Sequence, residues 1–213
     1  MERKKKQSPQ NENVKFLVEF LQVAITSIIF LKGIYPDVLV IICMIVNEGA
    51  FERRRYMNLV VHRARHPQLN HYIQHSLNSL VPHIQQGLVE RVAVIFFNRD
   101  KIPIEKFMFK INVNQSYESV IEDADLGVSL RAFLTKLSQS EPLSKAVSKD
   151  WKWEIMSYFR SIPSTSEDAD MWVGTRTQQW QQPPLITPIK SMNIDPLSVQ
   201  LYIEHPSLLE PKP

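Results

Sequence analysis

The chain has 213 residues, 44% of them hydrophobic and 22% charged, which is typical of a globular protein and of one domain of this size. Its formal net charge of +3 is too small for the surface as a whole to bind nucleic acid by neutralising phosphates. The single cysteine, Cys43, excludes an internal disulfide and a cysteine-based zinc cage.

The first predicted element is a buried helix. Residues 1–12 are charged and then polar, which predicts a disordered tail, and Asn13 can cap the helix that follows. Polar residues recur from Lys15 at i+4, i+7 and i+11, so they form one narrow stripe on an otherwise apolar helix. Glu19 and Gln22 interrupt the apolar run before it reaches the length of a membrane span. We therefore expect a core helix that ends near Lys32.

An unbroken apolar stretch, VLVIICMIV, follows at 38–46. As a helix, its nine residues would span only about 14 Å, less than half of a hydrocarbon core of about 30 Å, so it is not a membrane anchor.

Apolar spacing predicts further elements in the middle of the chain. The segment 66–87 reads as one helix, because Leu69, Ile73 and Leu77 share a face and Gly87 can end it. The complete set is a strand over 55–64, this helix, a hairpin of strands over 91–98 and 102–113, a helix over 119–138 and a strand over 151–159.

The last fifty residues differ in composition, because 8 of the 14 prolines lie beyond Ser161. This predicts an extended, turn-rich segment rather than a packed α/β unit, with strand-like pieces at Trp172-Val173 and at 198–204.

Motifs that carry chemistry are scarce. The five glycines have no spacing that could cradle a phosphate, and no nucleophile elbow or metalloprotease helix occurs. His71 and His75 have the i, i+4 spacing of a metal pair, but no acidic or cysteine ligand lies near them in sequence, so a solvated helix face is the preferred interpretation. Neither a cofactor nor a metal is expected, and the protein is not expected to be an enzyme.

Basic residues are concentrated in the first third of the chain: residues 1–66 carry 11 Lys or Arg against 6 Asp or Glu. The run Arg53–Arg55 could contact phosphate, although a solvated edge before a strand is the more common use of such a run. The cluster Arg3–Lys6 is compatible with a nuclear localisation signal and equally with a solvated tail.

Several residue runs together resemble the HORMA domain, and within it the small accessory subunits of translesion DNA polymerase zeta. These runs are FLVEFLQVAITSIIFLKGIYP at 16–36, HPQLNHYIQ at 66–74, IEKFMFKI at 104–111, LRAFLTKL at 130–137, and LITPIKSM with VQLYIE between 185 and 204. The resemblance implies an α+β fold: a single HORMA domain, mainly antiparallel sheet on three helices, with a C-terminal segment called the safety belt.

The resemblance also implies the domain boundaries. Residues 13–205 would form the HORMA domain, the belt would cover about 160–205, and 206–213 would be a tail. In the family, the Tyr-Pro after the first helix leads almost directly to Gly-x-Phe and a basic run. This chain places an insertion at 37–48 between them. We expect the insertion to be tolerated, so its deletion should preserve folding.

Function and site residues follow from the same resemblance. The family's belt closes over an extended peptide of a partner, which adds a strand to the sheet. The implied peptide-binding residues are Tyr72, Trp172, Leu185, Ile186, Gln200 and Tyr202. Arg131 matches the arginine of the family's self-association face.

The expected function is that of a nuclear, non-catalytic adaptor. Its implied partners are the catalytic subunit of polymerase zeta, other translesion-synthesis scaffold proteins and a HORMA homo- or heterodimer, with DNA bound only indirectly and no membrane. Two alternatives stay open: a spindle-checkpoint adaptor and a direct DNA-binding module that uses Arg53, Arg54 and Arg55.

Overall fold

The computed structural model describes residues 9–35, 50–114, 123–140, 150–161, 174, 180 and 183–206. Its helices are α1 (Pro9–Leu31), α2 (Pro67–Asn78), α3 (Val81–Gln85) and α4 (Asp123–Gln139). Its strands are β1 (Phe51–Tyr56), β2 (Leu59–Ala64), β3 (Val89–Phe97), β4 (Pro103–Val113), β5 (Lys152–Phe159), β6 (Leu185–Ile194) and β7 (Leu197–His205).

The strands form two antiparallel sheets. β1 and β2 make a two-stranded ribbon, and the other five strands form one sheet in the order β5-β3-β4-β7-β6. Because every neighbouring pair is antiparallel, β5 and β6 run in the same direction at opposite edges of this sheet. Four strand spacings of about 4.8 Å separate the two edges by about 19 Å.

One face of the five-stranded sheet packs on the helices and forms the main core. Phe20 of α1 lies at its centre, with edge-to-face ring contacts to Phe109 of β4 at 6.5 Å and to Phe133 of α4 at 5.6 Å. Such contacts bind a helix to both a strand and a second helix. The inward residues of β7 alternate in the expected way, with Val199, Leu201 and Ile203 all buried.

A buried ion pair joins the end of α1 to β4. The side chains of Lys32 and Glu105 are 1% and 6% exposed, and the Lys32 ammonium also lies over the rings of Phe96 and Phe107. Burial lowers the pKa of Lys32, while the Glu105 carboxylate opposes that shift. Removal of one partner from such a pair would leave an uncompensated buried charge, which costs about 3–5 kcal/mol.

Two helix boundaries differ from the sequence prediction. α1 begins at Pro9 rather than after Asn13, since proline suits the first turn of a helix; Asn13 is 3% exposed inside it. The single helix predicted over 66–87 is two helices, because Pro82 has no N–H for the carbonyl four residues earlier. Gly87 has a φ of +70 just beyond α3, which agrees with its predicted role at the helix end.

The arginine run Arg53–Arg55 lies within a strand rather than before one. β1 pairs with β2 around Met57 and Asn58, which have φ values of 49 and 62. A two-residue hairpin turn with two positive φ values favours Asn or Gly at both positions. Because Met57 occupies the first position, the sequence did not indicate this turn.

The C-terminal segment is more regular than its prolines predicted. β6 and β7 form a paired hairpin that joins the five-stranded sheet at β4, so this part is packed and not merely extended. Pro188 is tolerated because β6 is an edge strand. The predicted piece at Trp172-Val173 and the insertion at 37–48 lie outside the described residues.

α1 also meets the length and hydropathy of a membrane span. Residues Glu12–Leu31 have a mean hydropathy of 2.0, yet 56% of the window is buried inside the protein. Burial of this extent is the pattern of a core helix, as the sequence predicted.

Candidate functional site

The first candidate surface is the outer edge of β5. This strand pairs with β3 on one side, and no described strand pairs with its other side. The backbone N–H of Ile155 points to the open side, where it donates a hydrogen bond of 3.2 Å to the Tyr72 hydroxyl. Because alternate residues of an antiparallel strand present their backbone groups to the same side, Trp153 and Ser157 share this orientation. We call this line of backbone groups the β5 edge.

Tyr72 lies beside the β5 edge because of its place on α2. The apolar face of α2 buries Leu69, Ile73 and Leu77, which leaves Tyr72 on the flank of the helix at 40% exposure. Its ring meets the ring of Trp153 edge to face at 5.5 Å. Burial raises the pKa of Tyr72, and the hydrogen bond from Ile155 opposes the shift. Tyr72 and Trp153 therefore form an oriented aromatic pair beside the outward-facing backbone N–H and C=O groups of β5.

Trp153 was missed as a site residue, although the sequence held a signal for it. In WKWEIMSYF, Trp151, Trp153, Ile155 and Phe159 alternate along one face, and the structure packs all four against the main core. Alternation predicted the strand, but only the strand order shows that this strand lies at an edge.

The opposite face of the sheet carries a second, smaller cluster. Ala93, Ile95 and Met108 are buried there beneath a ring of larger side chains, namely Phe97, Met156, Tyr158 and Tyr202. The guanidinium of Arg91 lies over the ring of Tyr158 at 5.3 Å. This outer face is thus covered by aromatic and methionine side chains of the sheet itself.

Trp180 adds a contact to the outer face from the connection between β5 and β6. Its indole N–H donates a hydrogen bond of 3.3 Å to the carboxylate of Glu204, and the ammonium of Lys106 lies 5.0 Å from its ring centre. Lys106 and Glu204 are register partners on β4 and β7. Burial lowers the pKa of Lys106, and Glu204 opposes that shift. A cation under the ring and an acceptor for the indole N–H hold Trp180 in place.

The structure separates the residues predicted to bind a peptide. Tyr72 lies at the β5 edge, whereas Leu185 and Ile186 lie at the start of β6, at the far edge, with 48% and 63% exposure. Gln200 is exposed on β7, and Tyr202 belongs to the outer-face cluster. Trp172 lies outside the described residues. The structure therefore places Tyr72 at one edge of the sheet and Leu185 with Ile186 at the other.

Arg131 lies on another surface. Its Nε donates a hydrogen bond of 2.9 Å to the carbonyl of Met57, in the turn of the β1–β2 ribbon. It also borders a cavity of about 320 Å³, whose other lining residues are Val128, Ala132, Thr135, Lys136, Gln139 and Lys190. Arg131 therefore helps to hold the ribbon against α4.

The two histidines that were weighed as a metal pair lie on a solvated helix face. His71 and His75 are exposed on α2, with their rings stacked at 5.3 Å. Within the part of the chain that the structure describes, no group of three His, Cys, Asp or Glu side chains could hold a metal ion.

Comparison with known proteins gives close matches along almost the whole chain. The DNA polymerase zeta processivity subunit of Arabidopsis thaliana is 48% identical over 210 residues, which cover 98% of this chain and 93% of the relative. The human mitotic spindle assembly checkpoint protein MAD2B is 27% identical over 199 residues, which cover 88% of each chain. No family model matches the chain.

Solved structures agree in fold at much lower identity. A chain of the mitotic checkpoint complex superposes with a TM-score of 0.74 at 13% identity and covers 92% of this chain and 99% of its own length. HTP-2 bound to HTP-3 motif-6 gives a TM-score of 0.74 at 8% identity, with 93% and 92% coverage.

Proposed function

The chain belongs to the family of DNA polymerase zeta processivity subunits and has the HORMA fold, and from this premise we propose that it captures an extended peptide of the catalytic subunit at its β5 edge. It is a non-catalytic adaptor. The observation that carries the peptide proposal is the β5 edge itself: no described strand pairs with this side of β5, and the aromatic pair Tyr72 and Trp153 borders it.

Capture at this edge would use strand addition. The backbone N–H and C=O groups of Trp153, Ile155 and Ser157 supply main-chain hydrogen bonds, which give affinity with little regard to sequence. Specificity comes from side chains, and an exposed Tyr72 ring oriented by Trp153 offers an apolar surface to a proline or aliphatic residue of the peptide. To take the N–H of Ile155, the peptide must first displace the Tyr72 hydroxyl.

The C-terminal hairpin explains why the edge is open. β6 and β7 occupy the β4 side of the sheet, so they do not compete with a peptide at the β5 edge. The connection between β5 and β6 must join opposite edges, about 19 Å apart, and Trp180 is fixed to the outer face between them. We propose that this connection is the part of the belt that closes over the peptide, and that Trp172 within it contacts the bound peptide. Release would then require the belt to open, which slows dissociation.

The remaining partners and the nuclear location are part of the same proposal. A polymerase subunit works where DNA is replicated, which favours the nucleus and agrees with the basic cluster Arg3–Lys6. Bridging to other translesion-synthesis scaffold proteins and HORMA dimerisation through the face of Arg131 would use surfaces away from the β5 edge.

A spindle-checkpoint adaptor is the second candidate, and one observation favours it. The human relative at 27% identity is named as a mitotic spindle assembly checkpoint protein. The β5 edge would serve either role equally well, because strand addition does not depend on what the partner does. The two candidates differ in which partner the full-length protein retains from cells.

The test is a peptide-binding measurement with a matched pair of variants. Fluorescence anisotropy would follow a labelled peptide from the catalytic subunit of the same organism. The double variant Tyr72→Ala, Trp153→Ala should bind at least 100-fold more weakly, since each aromatic anchor contributes roughly 2 kcal/mol or more. The control Leu185→Ala, Ile186→Ala removes two exposed apolar side chains from the far edge and should change affinity less than threefold. Equal losses in both variants would remove the assignment to the β5 edge.

A further inference from the structure

The β1–β2 ribbon concentrates positive charge. Residues 50–66 contain five arginines and one glutamate, a net of +4, whereas the whole chain has +3, so the rest of the chain is close to neutral. All five arginines are exposed: Arg53, Arg54, Arg55, Arg63 and Arg65. We call these five side chains the basic ribbon. Peptide capture at the β5 edge makes no use of them.

The pairing register shows how the arginines are arranged. Arg53 and Arg55 lie on the same face of β1, about 7 Å apart along the strand. Arg54 lies on the other face with Arg63, which is directly opposite Glu52. Glu52 accepts a hydrogen bond of 2.7 Å from Arg54, and this bond is the main cause of its lowered pKa. Among the described residues, no carboxylate lies within salt-bridge distance of Arg53 or Arg55.

The backbone that carries these arginines is held firmly. Phe30 of α1 stacks on the ring of His62 at 3.5 Å and meets Phe51 edge to face. At the other end, Arg131 binds the carbonyl of Met57 in the turn. Burial and the neighbouring Arg53 lower the pKa of His62. The ribbon is therefore a fixed strip that carries exposed cationic side chains.

We propose that the basic ribbon binds the phosphate backbone of duplex DNA without regard to sequence. Guanidinium groups match phosphate oxygens in pairs, which makes arginine the preferred cation for such contacts. Arginines lie on both faces of the ribbon. This arrangement suits a polyanion that offers phosphates on every side, and it suits an acidic peptide with a few fixed carboxylates less well. Binding of this kind has a Kd of about 10⁻⁴ to 10⁻⁶ M at physiological salt, so it would tether the adaptor near DNA rather than recruit it.

The ribbon and the β5 edge are separate surfaces. β1 and β2 form their own sheet, which packs on α1 and, through β2, on α2, and neither strand belongs to the five-stranded sheet that ends in β5. The two surfaces share no residue, so each can be changed by substitutions that keep the side chains of the other. DNA binding and peptide capture thus fail or succeed independently.

The experiment measures duplex DNA binding by the full-length protein at several salt concentrations. With three to four phosphates contacted, the slope of log K against log salt should be about −3 to −4. The variant Arg53→Glu, Arg55→Glu, Arg63→Glu should lose at least 30-fold in affinity at low salt while peptide capture stays unchanged. The control Lys101→Glu, Lys110→Glu, Lys136→Glu makes the same change in net charge at exposed positions elsewhere and should lose less than fivefold.

Three results would overturn the proposal. The first is no DNA binding at low salt, and the second is an equal loss in the two triple variants, which would reduce the effect to net charge. The third is tighter binding of poly-glutamate than of DNA, which would indicate an acidic protein partner. The unfolding temperature of the ribbon variant is the control for folding. If it equals that of the wild type, the loss of DNA binding is not caused by a loss of fold. The variant Arg53→Lys, Arg55→Lys, Arg63→Lys keeps the charge and should retain most of the salt slope.

Discussion

The two edges of the five-stranded sheet differ in how they are protected. β6 carries Pro188 and Lys190, and its pairing with β7 shifts register between them, all of which discourage another strand from adding. α4 also packs beside β6. β5 has no proline, and its pairing with β3 runs without a shift from Lys152 to Tyr158. A sheet that protects one edge and leaves the other regular marks the regular edge as the place for an added strand.

The largest expected effect of a single substitution comes from removal of a backbone donor at the β5 edge. Ser157→Pro replaces an N–H that faces the open side, so the pairing of β5 with β3 is retained while one hydrogen bond to the peptide is lost. Peptide affinity should fall about 30- to 100-fold, since a buried acceptor left unpaired costs up to about 3 kcal/mol.

The matched control for this variant is Ser157→Val, which keeps the N–H and suits a strand. Isothermal titration calorimetry with the peptide measures both variants. Ser157→Val should bind within threefold of the wild type. If Ser157→Val loses as much affinity as Ser157→Pro, the side chain and not the backbone is responsible.

The next effect concerns the fastening of the connection between the two edges. Trp180→Ala removes both the contact over Lys106 and the hydrogen bond to Glu204. The dissociation rate of the bound peptide should rise about 10-fold, corresponding to about 1.4 kcal/mol. Stopped-flow displacement measures this rate. Trp180→Phe keeps a ring over Lys106 and should give an intermediate rate; an unchanged rate in both variants would mean that Trp180 does not hold the belt.

A smaller effect is expected at the Tyr72 hydroxyl. Tyr72→Phe keeps the ring next to Trp153 but frees the N–H of Ile155 from its intramolecular acceptor. The peptide then has no hydroxyl to displace, so affinity should rise about threefold, within the energy of one hydrogen bond. Weaker binding by Tyr72→Phe would show that the hydroxyl itself binds the peptide.

The smallest effect tests the protection of the other edge. Pro188→Thr together with Lys190→Val removes two features that prevent strand addition at β6. Weak self-association should become visible by analytical ultracentrifugation at about 100 µM, a concentration at which contacts of about 5–6 kcal/mol are populated. The control is Lys110→Val, which removes a charge from a central strand. This variant should self-associate no more than the wild type.

Local sequence patterns predicted most of the helices and strands, but not which strands lie next to each other in the sheet. The spacing in α2, the apolar run of β3 and the alternation in β4 were sufficient, because each depends on residues a few positions apart. The ribbon and the split at Pro82 were missed for local reasons: a methionine with positive φ and a proline inside an otherwise helical pattern.

The site was harder to predict because it depends on strand order. Tyr72 and Trp153 are 81 positions apart in sequence, and only the place of β5 at the edge of the sheet brings their rings together. The resemblance indicated Tyr72, but grouped it with Leu185 and Ile186, which the hairpin carries to the opposite edge. A strand pattern identifies a strand and its buried face, whereas an edge is a property of the whole sheet.

Amide hydrogen exchange with and without the peptide tests the central claim most directly, because it compares the two edges in one unmodified protein. When the peptide from the catalytic subunit binds, the amides of Trp153 and Ser157 should exchange at least 100-fold more slowly, while the amides of β6 keep their rates. Protection along β6 instead, or bound peptide with no change along β5, would contradict capture at the β5 edge.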